Sequence, residues 1–151
     1  MGLVLVFGVA AHQRNIVWKN EFSLWSDVVK KSPGKARPHD YMGIAYYKSG
    51  VIDDAIKHHK LAINIDPEYP YPHVNIGICY FYKGDVDEAI GQFRRAILLS
   101  PRNVDAHYNL VIAYGSKGLY QQAFQEIKMA KALSSKGKWN LIKREMKGWK
   151  P

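Results

Sequence analysis

One cysteine, Cys79, stands in 151 residues, so no internal disulfide can brace the chain. It falls in a helical pattern beside Gly77 and reads as a small buried thiol. Other absences narrow the function. There is no paired Cys, no Gly-x-Gly phosphate loop, and no Ser, His and Asp in a supporting motif. An enzyme reading has nothing to rest on, and nothing calls for a cofactor. No Asn-x-Ser/Thr acceptor occurs. Long apolar runs are lacking too: Gly2–Ala11 is apolar, but a helix crossing a bilayer needs about 20 such residues. Positive charge comes after that run, at Arg14, which is the wrong order for a secretory signal. Val6 stands where a myristoylation signal needs Ser or Thr. Gly2–Ala11 is therefore either the trimmed end of a membrane helix or an apolar helix that packs on the rest of the chain.

Charge is present but uneven. The net charge is +9, with +4 in residues 12–38, −2 in residues 39–127 and +7 in residues 128–151. A near-neutral middle argues against a nucleic-acid groove along it, and no nucleic acid is expected as a partner. Basic ends suit an anionic surface, and the C-terminal one is the candidate. Lys138–Lys147 is amphipathic, with Trp139, Ile142 and Met146 on one face, and reads as a basic capping helix or a patch for anionic lipid or an acidic partner.

The middle of the chain is repetitive. Gly43, Tyr46, Gly50, Ala55, Ala62 and Pro67 recur 34 residues later as Gly77, Tyr80, Gly84, Ala89, Ala96 and Pro101. Another 34 on come Val111, Tyr114, Gly118, Ala123 and Ala130. A fixed period of this length marks stacked units, none of which can bury its apolar face alone. Each unit predicts a first helix (about 37–49, 71–83, 105–117) closed by its Gly, and a second (about 53–65, 87–99, 121–133). Asp53, Asp54, Asp87 and Glu88 suit the positive end of the second helices. Before the units, Asn20–Lys31 has helical spacing with Phe22, Trp25, Val28 and Val29 on one face, and Pro33 lies 34 residues before Pro67. It predicts the capping helix of a degenerate repeat. By length the chain is one domain.

This spacing resembles the tetratricopeptide repeat, a 34-residue helix–turn–helix. Met42–Gly43, Tyr46, Ala55, Ala62 and Pro67 match in the first unit. Ile76–Gly77, Tyr80, Ala89, Phe93, Ala96 and Pro101 match in the second, and Leu110, Tyr114, Tyr120, Ala123 and Ala130 in the third. Departures are His59 and Ile127 in the aromatic slot, Val111 for Gly and Ser135 for Pro. The resemblance implies an all-α, right-handed superhelical solenoid of three repeats with a helical cap at each end. Its segments would be 1–19 (apolar helix), 20–35 (cap), 36–69, 70–103 and 104–137 (repeats) and 138–151 (basic cap). More weakly, Arg14–Glu21 with Leu24–Trp25 resembles the segment that joins the last membrane helix to the repeats in glycosyltransferase-like membrane proteins. The catalytic loops of those proteins are absent, so no activity carries over. Membrane attachment, with the repeats in a soluble compartment, is the expectation this raises.

The resemblance further implies a ligand groove along the first helices. Its candidate residues are Tyr41, Ile44, Tyr47, Tyr71, Asn75, Ile78, Phe81, Tyr82, Tyr108, Asn109 and Ile112, flanked by Arg37, Asp40, Lys48, Val74 and Asp105. The carboxylate clamp of chaperone-binding members needs Lys, Asn, Asn, Lys and Arg where this chain has Asp40, Ile44, Asn75, Asp105 and Asn109, so only Asn75 fits it. Asn75 and Asn109 occupy equivalent places, and an amide can both donate to and accept from an extended backbone. Rigid aromatic surfaces with polar tips are what peptide sites use. His39, His73 and His107 also recur at one place. Stacked helices lie roughly 8–10 Å apart and zinc needs nitrogens about 2 Å away, so the three read as structural. The expected function is a non-catalytic scaffold binding a protein, peptide or partner helix. The alternative is a structural subunit of a membrane-attached homo-oligomer or filament, joined to a membrane or a neighbouring subunit through Gly2–Ala11.

Overall fold

The structure, a computed structural model, describes residues 21–133 together with Asn140 and Arg144. The expectations placed on Gly2–Ala11, on residues 14–20 and on most of Lys138–Lys147 fall outside these. Residues 21–133 hold helices and no strand: α1 (21–31), α2 (Ala36–Lys48), α3 (Ile52–Ile65), α4 (Pro70–Lys83), α5 (Val86–Leu99), α6 (Val104–Ser116) and α7 (Tyr120–Leu133). Each lies within about a residue of the span that periodicity predicts. Among the described residues no helix is long and apolar enough to cross a membrane.

The turns between paired helices rest on glycine. Gly50, Gly84 and Gly118 have φ of +81°, +89° and +70°, the left-handed region that a side chain disfavours. That conformation lets the next N–H, of Val51, Asp85 or Leu119, donate back to the carbonyl of Tyr46, Tyr80 or Tyr114 at 3.0, 2.9 and 2.9 Å. Carbonyls that the helix end would leave unpaired are thereby satisfied.

The chain divides into two compact units, Met1–Asp66 and Pro67–Pro151. Asp66 is extended (φ −137°, ψ 92°) and Pro67 has no N–H to give, so helical bonding stops there. In the first unit α2 packs along α3. α1 lies on α2: the Phe22 ring meets Tyr46 edge-on at 5.1 Å, and Glu21 accepts from Lys48 at 3.1 Å. In the second unit α4 packs on α5, α5 on α6 and α6 on α7, and α6 also reaches α4. Val74, Ile90, Phe93, Leu110 and Tyr114 form its main core, and Val111, Ile127 and Ala130 a second cluster.

Inside each unit one contact sets how closely the two helices approach. A Cβ at Gly77 would lie 2.4 Å from the Phe93 ring, and one at Gly43 would lie 2.5 Å from the His59 ring. The rings therefore sit on bare backbone. In the third repeat the same two places hold Val111 and Ile127, both buried. What the sequence shows as two separate departures is one exchange: a larger residue on the first helix is matched by a smaller one on the second.

Buried polar side chains are paired at a constant spacing of 19 residues. His39 meets His58 (Nδ1 to Nδ1, 3.4 Å), His73 meets Gln92 (2.8 Å) and His107 meets Glu126 (2.7 Å). Through Nε2, His39 and His107 donate to the carbonyls of Pro33 and Pro101, each at 2.9 Å. These histidines pin the turn before a repeat to the second helix within it, a structural role. One place further along, His59 Nδ1 lies 2.7 Å from Asp40 Oδ1, with both side chains buried. Equivalent places in the second repeat hold Val74 and Phe93, so the first repeat substitutes a polar pair for an apolar one.

Two outcomes test this packing. Gly77→Val should cost about 2–3 kcal/mol by overpacking, and Phe93→Ile about 1–2 kcal/mol by the volume it removes. The double variant, which copies Val111–Ile127, should lose at least about 1 kcal/mol less than the sum in urea unfolding. Acid should act on the first unit through His58. Burial lowers its pKa below the ordinary value, helped by the nearby His39 and then His59. A depressed histidine binds fewer protons folded than unfolded, so its contribution is complete above pH about 6.5 and is lost as pH falls toward the folded value. His58→Gln, the residue found at Gln92, should lose less stability between pH 7.5 and 5 than the unaltered chain.

Candidate binding surface

On α4, Tyr71, Asn75, Ile78 and Tyr82 are spaced i, i+4, i+7 and i+11, which places them within about 60° of arc. Tyr71 and Tyr82 stand out from the surface, 55% and 69% exposed, and are about 16 Å apart along the helix. Asn75 and Ile78 are half-buried between them. The Tyr69 ring lies 5.6 Å from that of Tyr71, tilted by 58°, and supports it. Ile78 is lower because it also leans on the main core. The stripe is thus a shallow apolar and amide floor with an aromatic post at each end.

α6 repeats the spacing with Asp105, Asn109, Ile112 and Ser116. Asp105 and Ser116 are exposed, and Asn109 and Ile112 half-buried. Asn109 Nδ2 donates to the Asp105 carbonyl at 2.8 Å. One amide hydrogen is spent on its own helix, and the side-chain oxygen and the other hydrogen remain for a ligand. Across both stripes Asp105 is the one charged side chain. Few charges and half-buried isoleucines suit an apolar ligand segment with polar backbone, and two posts 16 Å apart span about five extended residues.

Phe81 and Tyr108 stand beside this surface. Phe81 packs against the main core and Tyr108 against the cluster of Val111, Ile127 and Ala130. In the first unit Arg37, Tyr41, Ile44 and Lys48 have the same spacing on α2, with Ile44 and Tyr47 half-buried. Tyr41 is 43% exposed, yet one face of its ring is stacked on Trp25 at 4.3 Å and 11°. That place is therefore occupied by α1.

Two flanking residues of the expected groove do not line a surface. Asp40 is buried on His59, and Val74 is buried in the core. Helical spacing put them beside the stripe, whereas contact with the second helix turns that edge inward. The 19-residue spacing shared by all four polar pairs is the signal by which Asp40 could have been assigned from sequence. Cys79, on the inner side of α4, is fully buried, and burial pushes its thiol up to about 11, so it is no nucleophile.

Comparison with known proteins agrees with this architecture. A family profile described as TPR repeat matches residues 43–81 and 79–118. No curated relative matches the sequence. Among solved structures, a crystal structure of MamA is 20% identical, with a TM-score of 0.70 over 89% of this chain and 88% of that one. A second MamA structure, also 20% identical, has a TM-score of 0.68 over 91% and 84%. The second TPR of Spaghetti (RPAP3), bound to the HSP90 peptide SRMEEVD, is 22% identical, with a TM-score of 0.64 over 66% of this chain and 93% of that one. At these identities the likeness concerns the fold. The profile matches together run over half of the sequence, from residue 43 to 118, and the chain belongs to the TPR repeat family.

Proposed function

We propose that this protein is a non-catalytic interaction scaffold, and that its second unit binds a short, largely uncharged peptide segment along α4 and α6. The observation that carries the reading is the stripe Tyr71–Asn75–Ile78–Tyr82, whose two protruding tyrosines bracket a half-buried floor. Tyrosine holds a large amphipathic surface at little entropic cost, and such residues dominate binding at interfaces. The amides of Asn75 and Asn109 lie where a ligand backbone would run. The RPAP3 domain supports a peptide as the class of ligand, since a domain of this fold holds one. Its peptide is acidic, and this surface offers Asp105 and no cation along either stripe, so the preferred sequence here differs. An apolar residue over Ile78 and Ile112, with no carboxylate beside Asp105, is the expected pattern.

Selection of a random peptide library on the full chain tests this. Enriched peptides should be apolar at the centre and poor in Asp and Glu. Tyr71→Ala with Tyr82→Ala should weaken them by about 30-fold or more, as loss of roughly 2 kcal/mol at a hot spot would. Both rings are exposed, so the melting temperature should hold. Enriched peptides that bind the double variant unchanged would exclude this surface as the site.

A further inference from the structure

The second helices share a pattern that peptide binding on the first helices does not use. On each, four positions spaced i, i+3, i+4 and i+7 form an arc of about 100°, and every residue in all three arcs is exposed. On α5 the arc runs from Gly91 to Leu98 and carries Arg94 and Arg95. Leu98 stands 69% exposed beside them. On α7 the same places run from Gln125 to Ala132, with Lys128 and with Met129 49% exposed. On α3 they run from Lys57 to Asn64, with Lys60 and with Leu61 exposed. Each arc thus has one large apolar side chain and at least one cation. None has an acid, although residues 39–127 contain more acids than bases.

Three acids of these helices are paired, one of them with Lys57 of the α3 arc itself. Asp54 accepts from Lys57 at 2.9 Å, Asp87 is paired with Lys117, and Glu126 lies against His107. Arg94 has a local partner as well, its Nε donating to the Tyr114 hydroxyl at 3.0 Å. Cations near a helix C-terminus are favoured by the dipole. A leucine held out in water among arginines gains nothing from it, and each of the three arcs has such a residue. Solubility would be served better by a polar one.

We infer that these arcs, each on its own helix, make contact with an anionic lipid bilayer. The combination fits an interface in which long basic side chains meet headgroups and a short apolar one enters the acyl boundary beneath. An acidic protein would need a shaped socket for each apolar side chain, and a nucleic acid would gain nothing from Leu98 or Met129. Charge complementarity extends past the helices, because residues 128–151 hold eight basic and one acidic residue. The arcs lie on different helices from the peptide stripe, and neither reading depends on the other.

Co-sedimentation of the full chain with vesicles separates the outcomes. Binding to vesicles of phosphatidylcholine with about 30% phosphatidylglycerol should exceed binding to pure phosphatidylcholine by about tenfold or more at 0.1 M salt. It should fall sharply at 0.5 M, as screening shortens. Leu61→Ser, Leu98→Ser and Met129→Ser together, all at exposed positions, should keep the helical spectrum and reduce binding by about fivefold or more. Arg95→Gln with Lys128→Gln should reduce it too. The inference is overturned if neither vesicle binds, or if the apolar triple variant binds like the unaltered chain. Loss with the charge variant alone would assign the surface to an acidic macromolecule.

Discussion

Everything in this fold depends on how closely two helices of a pair can approach. The limit is set where a second-helix side chain lies on the first helix's backbone. In the first two repeats a ring rests where a Cβ would stand at 2.5 or 2.4 Å, which only glycine permits. The third repeat divides the volume differently, with Val111 and Ile127 buried in one cluster. Close packing, not any one residue type, is the constraint. Alanines at Ala55 and Ala62, Ala89 and Ala96, and Ala123 and Ala130 are fully buried for the same reason.

Polar pairs use that closeness. With the helices held at this separation, residues 19 apart come within hydrogen-bond reach, and four such pairs form. The partners of the recurrent histidines differ: His58, Gln92 and Glu126. Packing therefore fixes the histidine and leaves its partner open to variation. Each partner changes the chemistry of the joint, and its separation with it, 3.4, 2.8 and 2.7 Å in turn. An acceptor-only carboxylate, an amide and a second imidazole present different hydrogen-bonding groups at one place in the repeat. Asp40 and His59 carry the idea further, since a buried ion-capable pair occupies the place of an apolar contact, where either side chain without the other would be costly.

The fold was legible in the sequence because its signals are local or periodic. Glycine at the helix ends, small residues at fixed places and the 34-residue period each follow from backbone sterics, and the helices fall within about a residue of expectation. The surface was less legible. Spacing groups Tyr71, Asn75, Ile78 and Tyr82 on one side of α4, but it could not say where that side ends. Asp40 and Val74 sit at its edge, and the neighbouring helix decides that they turn inward. Phe81 and Tyr108 lean on core clusters for the same reason. The stacking of Trp25 on Tyr41 joins residues from two helices with no periodic relation, and nothing in the local pattern announces it.

That division suggests where specificity can arise in a repeated chain. Positions that touch the partner helix are bound by volume and repeat with little freedom. Positions outside the core are freer to differ, and two patterns follow here. On the first helices, Tyr41, Asn75 and Asn109 share one place but differ in chemistry, which distinguishes one repeat from the next. On the second helices, Lys60, Arg94 and Lys128 share one place and one charge, and each has an exposed apolar neighbour. Variation along a surface suits a ligand read residue by residue, as a peptide is. Uniformity suits a ligand with no sequence of its own, as a charged lipid surface is. The two faces carry opposite kinds of information because solvent, unlike a packed core, imposes no residue on either.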